Sequence, residues 1–416
     1  MHRTNAFACI AVFTSLAAAE GGRARFIPLP TIPGGAAPYS AAFAVSDTGR
    51  FVCGASSSAA GTGPVVWDLD SLGVREVARF AQSTPGGEAR ALSASGSVVV
   101  GQSRQSTRFV AFRQMENESP QSLGSLAPST LGTLSAALDT SADGAVIVGW
   151  SRNNQGTGAR EAFIFRAGGM IGLGDLPGGT FNSTAHAITP DASLVVGEAT
   201  DDRGLRAVVW SNSGMAVLPD PAGAVLGTAA YGVSKNGRVV VGKTVVTEGR
   251  SRATLWRDGV PLDLGTLPAA DPDATALSCT FDGELIVGTS RFGDLYEAFM
   301  YDELGMRNLR EVLVVEYGLA AELSEWELVS AEDVTPDGRV IVGQGTNALG
   351  QVQAWAVVLP TPCTGDYNRD QQVDVFDYLD FAQAYAEENI RADLDQSGQV
   401  DLFDYLEFAA AWDSGC

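Results

Sequence analysis

Twelve oxygen-bearing positions near the C-terminus fall into two sets of six at a constant offset. Asp366, Asn368, Asp370, Asp374 and Asp377 occupy positions 1, 3, 5, 9 and 12 of a loop in which Gln372 sits at position 7. Twenty-seven residues on, Asp393, Asp395, Ser397, Asp401 and Asp404 stand in the same places, with Gln399 at position 7. Hard divalent cations take oxygen ligands from alternate residues of a chain that wraps around them, and position 7 gives its backbone carbonyl. The pattern therefore predicts two Ca²⁺ ions, one per loop. Without them each loop crowds four carboxylates together, so the segment is expected to be loose when empty and compact when loaded. Position 6, where glycine makes the sharp turn, is Gly398 in the second loop but Gln371 in the first, which is expected to bind more weakly.

Each loop must be positioned by the helix it enters, VDVFDYLDFAQAYA or VDLFDYLEFAAAWD. Phe376, Leu379, Ala382 and Tyr385 recur at helical spacing, as do Phe403, Leu406, Ala409 and Trp412, which predicts one apolar stripe per helix. Val375-Phe376 and Leu402-Phe403 occupy equivalent places just after position 9. They are either anchors for a partner or a pair that closes a small core. Cys363 and Cys416 bracket the segment, and a bridge between them would clasp its ends for about 4 kcal/mol; the alternative is two free thiols. Residues 363–416 hold 13 Asp and Glu against Arg369 and Arg391, half of the whole chain's net charge of -22. So acidic a surface repels phosphate backbones, which argues against nucleic-acid binding.

With its two D-x-[DN]-x-[DS]-x-x-V-D-x-x-D loops, each entering a helix, this segment resembles a type I dockerin of the variety that ends in Gly-Cys, as Gly415-Cys416 does. The resemblance implies an EF-hand-like docking module with a cohesin-like or other cell-surface partner. It departs from the common pattern where a Ser-Thr pair is usual and this chain has Val375-Phe376 and Leu402-Phe403.

Ahead of that module a second pattern recurs. An apolar residue, Ser or Thr, a turn rich in Asp, Asn and Gly, and a run of branched apolar residues end on Gly54, Gly101, Gly149, Gly197, Gly242, Gly288 and Gly343. These glycines are 47, 48, 48, 45, 46 and 55 residues apart, which is a repeat architecture. Runs such as VVVG lack polar alternation and predict strands buried on both faces. An aromatic-ended strand follows in each copy (Trp67, Phe112, Phe165, Trp210, Trp256, Tyr301, Trp355), and an LG-x-L stretch adds a third. Units of this size with four strands each predict a mainly β protein, a seven-bladed β-propeller over 20–360; an open β-solenoid is the alternative. The segment Arg25–Gly34 looks like the end of a unit, whereas the last unit stops early, so the first strand is expected to complete the last blade. Leu309–Leu323, in the longest spacing, is expected to add a short helix. The repeats resemble the bacterial extracellular HAF repeats across residues 26–360, a likeness that implies no particular chemistry.

Arg3, the apolar run Ala6–Ala18 and the small residues Ala17-Ala18-Ala19 read as a secretory signal over 1–19, hence a secreted protein, and no later run is long and apolar enough to span a membrane. Apart from His2 the chain has one histidine, His186, in AHAITPD with no nucleophile motif nearby, and it reads as an ordinary strand residue. Asp175, Glu198, Asp201 and Asp202 are available for glycosidase work, but no spacing selects a pair. Asp143, Asp282 and Asp337 are explained by turn hydrogen bonds. Cys53 and Cys279 replace apolar residues of the repeat and are expected to be buried and unpaired. The expected function is non-catalytic: a propeller that binds or displays, with a glycan on its face as a candidate partner, attached through its calcium module. A polysaccharide-active enzyme carried by the same module is the second reading.

Overall fold

The computed structural model describes residues 23–414, apart from 36–37, 78, 81–82, 128–133, 154–158, 225, 248, 269–272, 293–294, 361–363, 368–372, 388, 396 and 398. The proposed signal, 1–19, and both Cys363 and Cys416 lie outside the described residues. Two compact units separate, one of them Ala24–Leu359 and the other containing Pro360–Cys416.

In the larger unit each sequence repeat folds as an antiparallel meander. The first copy gives Ser40–Val45, Phe51–Ser58, Gly61–Asp68 and Gly73–Glu76, paired in that order. The same four-strand order returns over 87–124, 135–174, 183–217, 227–265 and 274–308, the fourth and fifth copies touching through the single parallel pair Leu205 and Gly227. The last copy has only three strands of its own, Glu327–Val334, Val340–Thr346 and Val352–Val358. Its outer place is filled by Arg25–Pro28 from the other end of the domain, with Phe26 opposite Val357 and Pro28 opposite Trp355. The first strands of successive copies neighbour one another in cyclic order, and that of the last returns to that of the first, so the sheets close into a ring. Closure covers the apolar sheet faces that the two end copies of a linear stack would expose, and leaves only short edge strands.

The turn chemistry follows from the repeat. In the third copy Ser141 Oγ accepts the Val146 N–H at 3.0 Å, Asp143 accepts from Ser141 Oγ and from the Ala145 N–H, and Gly144 takes φ +72°. The apolar runs supply the layers between sheets, where Trp67, Trp256 and Trp355 are fully buried. Trp67 Nε1 and Trp256 Nε1 donate to the carbonyls of Pro30 and Pro219, both at 2.7 Å. Cys53 and Cys279 are buried and free, and burial pushes the Cys279 thiol up to about 12. The expected insertion forms α1 (Leu309–Val315), shorter than its sequence span, capped by Asn308 and buried through Leu309, Val312 and Leu313.

The repeat glycines are required by the strand that packs beside them. The first strand of every copy carries a register shift, and the residue ahead of the shift is always a fully buried alanine: Ala42, Ala89, Ala137, Ala185, Ala230, Ala276 and Ala331. Each alanine faces the repeat glycine across the ladder. The bulge presses the first strand against that glycine so closely that a Cβ on Gly54, Gly149, Gly197 or Gly242 would lie 1.9–2.0 Å from a carbonyl oxygen of Ala41, Ala136, Thr184 or Ala229. These glycines keep ordinary backbone angles; what requires them is close backbone approach.

In the smaller unit, α2 (Val375–Ala386) and α3 (Leu402–Ser414) meet through Phe381 and Phe408, stacked at 4.1 Å with planes 7° apart. Tyr367, Tyr385, Leu394 and Val400 pack around this pair. The stripe expected from Phe376, Leu379, Phe403 and Leu406 is corrected here, because those four side chains are exposed. The buried face of α2 is instead Asp377, Phe381 and Ala384, and Asp404 and Phe408 are its counterparts on α3. The rotation is set by the capping carboxylates, which must turn back into the loops and carry Phe381 and Phe408 inward with them.

Candidate functional site

In the second loop the carboxylates of Asp393, Asp395 and Asp404 offer oxygens that all lie within 4.8 Å of one another. These are positions 1, 3 and 12 of the expected ligand set. Asp404, fully buried, accepts the N–H of Leu394 at 2.7 Å and of Asp395 at 3.1 Å on Oδ1, and that of Asp401 at 2.8 Å on Oδ2. The loop is thereby folded back onto the first turn of α3. The Ser397 N–H donates to Asp393 and Asp395, both at 2.9 Å, and the Ser397 hydroxyl donates to the Gln399 carbonyl. Hydrogen bonds from Ser397 hold the exposed Asp395 carboxyl below its ordinary range. Asp401 accepts the Phe403 N–H at 2.8 Å and so serves as the helix cap. Three oxygens converging beside a turn form a nucleus that a calcium ion fits, with further oxygens available from Ser397, Gln399 and Asp401.

The first loop repeats the closing part. Asp374 and Asp377 form a reciprocal capping box at the start of α2, with Asp374 N–H to Asp377 Oδ2 and Phe376 N–H to Asp374 Oδ1 both at 2.8 Å. Trp412 Nε1 donates to the Asp374 carbonyl at 3.0 Å, tying α3 to this cap. Asp366 is half-buried, while Asn368, Asp370 and Gln372 lie outside the described residues. Beside the two caps Val375, Phe376, Leu402 and Phe403 are 56%, 61%, 62% and 67% exposed, so they are not the core pair that was one of the two sequence alternatives.

The larger unit has a second constellation, which sequence reasoning missed. The extra residue of each first-strand bulge is Phe43, Arg90, Leu138, His186, Tyr231, Leu277 or Glu332, every one half-buried. They touch between neighbouring copies: Arg90 lies 4.2 Å over the Phe43 ring, and the His186 and Tyr231 rings are 4.8 Å apart. One step further along the strand, Asp333 accepts from the Val45 N–H and the Ser278 hydroxyl, lacing the last copy to the first and the sixth. Asp139 accepts the Ile188 N–H of the next copy at 2.8 Å, and burial pushes its carboxyl up to about 6. Lys235 and Asp47, from the turns of the fifth and first copies, pair at 3.0 Å across the ring. The signal that could have found the ring is an alanine followed by a residue of no fixed type, at one constant distance ahead of each repeat glycine.

No family model and no curated protein matches the chain. Among solved structures, the β-propeller domain of the Trilobed protease from Pyrococcus furiosus, described as having an open velcro topology, aligns with a TM-score of 0.50 at 10% identity, covering 78% of this chain and 94% of that one. An oligogalacturonate lyase from Vibrio parahaemolyticus aligns with 0.49 at 9% identity over 82% and 99% of the two chains. TolB from Acinetobacter baumannii aligns with 0.43 at 13% identity over 65% of this chain and 62% of that one, less than two thirds of its length. At such identities likeness speaks for fold alone, and the likeness to the Trilobed protease domain, together with the closed ring of four-stranded sheets, makes the larger unit a β-propeller.

Proposed function

We propose that the chain is a secreted, non-catalytic protein in which a seven-bladed β-propeller of HAF-like repeats binds or displays, and residues 363–416 form a dockerin-like module that holds two Ca²⁺ ions and docks onto a cohesin-like or other cell-surface protein. The observation that carries the docking reading is the placement of Val375-Phe376 and Leu402-Phe403. They are equivalent apolar pairs, exposed beside the two caps, in a module whose core is already closed by Phe381 and Phe408. Exposed aromatic and aliphatic side chains on a rigid base are what interface anchors require. Capture from the native cell envelope on the immobilised full chain, in calcium against chelator, tests it: a protein retained only with calcium is expected, and identical capture in chelator would remove the reading. Changing one apolar pair to alanines is expected to leave capture largely intact, and changing both to abolish it while calcium-induced folding persists.

The calcium reading rests on the convergence of Asp393, Asp395 and Asp404. Asp393→Ala is expected to cost at least tenfold in calcium affinity by calorimetry, and Asp366→Ala less, because Gln371 already stands where the first loop needs glycine. Equal losses from both, or no heat of binding in the parent chain, would count against the assignment.

A further inference from the structure

Three consecutive copies of the propeller place an unusual set of side chains against one another. Trp150, Glu198 and Lys243 each follow the repeat glycine of their copy (Gly149, Gly197, Gly242), so they hold equivalent positions in neighbouring sheets. Between them stand the bulge residues His186 and Tyr231, which belong to the ring around the axis. Arg160 lies with its guanidinium 4.2 Å over the Trp150 ring, and Lys243 Nζ lies 5.6 Å from the centre of the Tyr231 ring. Glu198 Oε2 is 3.7 Å from His186 Nε2, beyond hydrogen-bond distance, and that buried nitrogen has no hydrogen-bond partner among the described residues. Burial pushes the Glu198 carboxyl up, but His186, Lys243 and Arg160 outweigh it and leave the group below its ordinary range.

The charges are arranged for an incoming group. Elsewhere on this acidic chain arginines pair directly with carboxylates, as Arg50 does with Asp68, Arg206 with Asp220 and Arg238 with Asp258. Among the described residues, Arg160 and Lys243 have no carboxylate within ion-pair distance, yet each is held in place by an aromatic face. Cations fixed in advance lose little freedom on binding an anion. Glu198, whose side chain is partly exposed, accepts hydroxyl hydrogens. A ligand that answers all of these carries one carboxylate and several hydroxyls.

We infer that Arg160, His186, Glu198, Tyr231 and Lys243 form a binding site, where the third, fourth and fifth copies come together, for a uronic-acid sugar, the carboxylate on Arg160 and Lys243 and the hydroxyls on Glu198. This deepens the proposed binding role by naming a site and a ligand class, and it rests on that role. Calorimetry on the full chain with glucuronate, glucose and acetate tests it. Glucuronate is expected to bind, glucose and acetate to bind at least tenfold more weakly, and Arg160→Gln and Lys243→Met each to weaken glucuronate at least tenfold with melting temperature unchanged. Arg160 is exposed, so its substitution leaves the fold intact and keeps the test decisive. Equal binding of glucose, no binding of glucuronate at millimolar concentration, or glucuronate binding indifferent to both substitutions would overturn the site. The two readings separate in the same assay. A neutral glycan bound independently of these residues refutes the site and spares the binding role, whereas turnover of a glucuronate-containing oligosaccharide that Glu198→Gln abolishes refutes the non-catalytic role and spares the site.

Discussion

Deleting residues 25–29 is expected to abolish cooperative unfolding of the propeller. Phe26, Ile27 and Leu29 are almost completely buried, and each such side chain is worth about 1.5–3 kcal/mol. Their combined loss, together with the ladder to Val352–Val358, is comparable with the entire stability of a typical domain, about 5–15 kcal/mol. The loss falls on the strand by which one end of the domain completes the last copy, so Trp326 and Trp355, which pack on Phe26, are uncovered as well. Scanning calorimetry of the truncated chain should show no transition, or a much broadened one, and a synthetic peptide of residues 24–34 added in trans should restore it. A truncated chain that melts like the parent would show that the ring closes by other means.

The second large effect is expected from a single methyl group. Gly242→Ala places a Cβ 2.0 Å from the Ala229 carbonyl oxygen, where backbone on both sides is fixed by the ladder. Overpacking of a well-packed interior costs about 1–3 kcal/mol, and more where backbone has to move. Gly169→Ala is the control, since nothing lies within 4 Å of its Cβ position and its φ is ordinary. It is expected to be neutral or to stabilise by about 0.4–1 kcal/mol through the unfolded state. Denaturant titration of the two variants side by side measures the contrast, and equal midpoints would refute close approach as the reason for the repeat glycine.

The repeat itself was legible because its signals are local. Ser or Thr, Asp and Gly write the hairpin, and branched residues without alternation, such as Val98, Val99 and Val100, write a strand buried on both faces. The joining of the ends was legible too, because the segment from Arg25 looks like the missing piece of the last copy. The bulge was not, since a register shift depends on the partner strand and leaves in its own strand only a small residue followed by an arbitrary one. His186 therefore read as an ordinary strand position, and its neighbours Tyr231 and Lys243 come from another copy altogether. In the smaller unit, periodicity predicts one apolar stripe on each helix. That stripe starts from Phe376 and Leu379, whereas the burial of Asp377 turns Phe381 inward instead. A carboxylate at the centre of a packed face runs against hydropathy and makes sense only once the loop that it closes is in place.

The bulge separates what the propeller must keep from what it is free to change. Alanine and glycine on either side of it are locked by contact distances, but the residue between them takes six different types in seven copies. Each copy is thus a socket with a single interchangeable fitting, and the chemistry around the axis can be rewritten one codon at a time, copy by copy, while the scaffold is inherited unchanged.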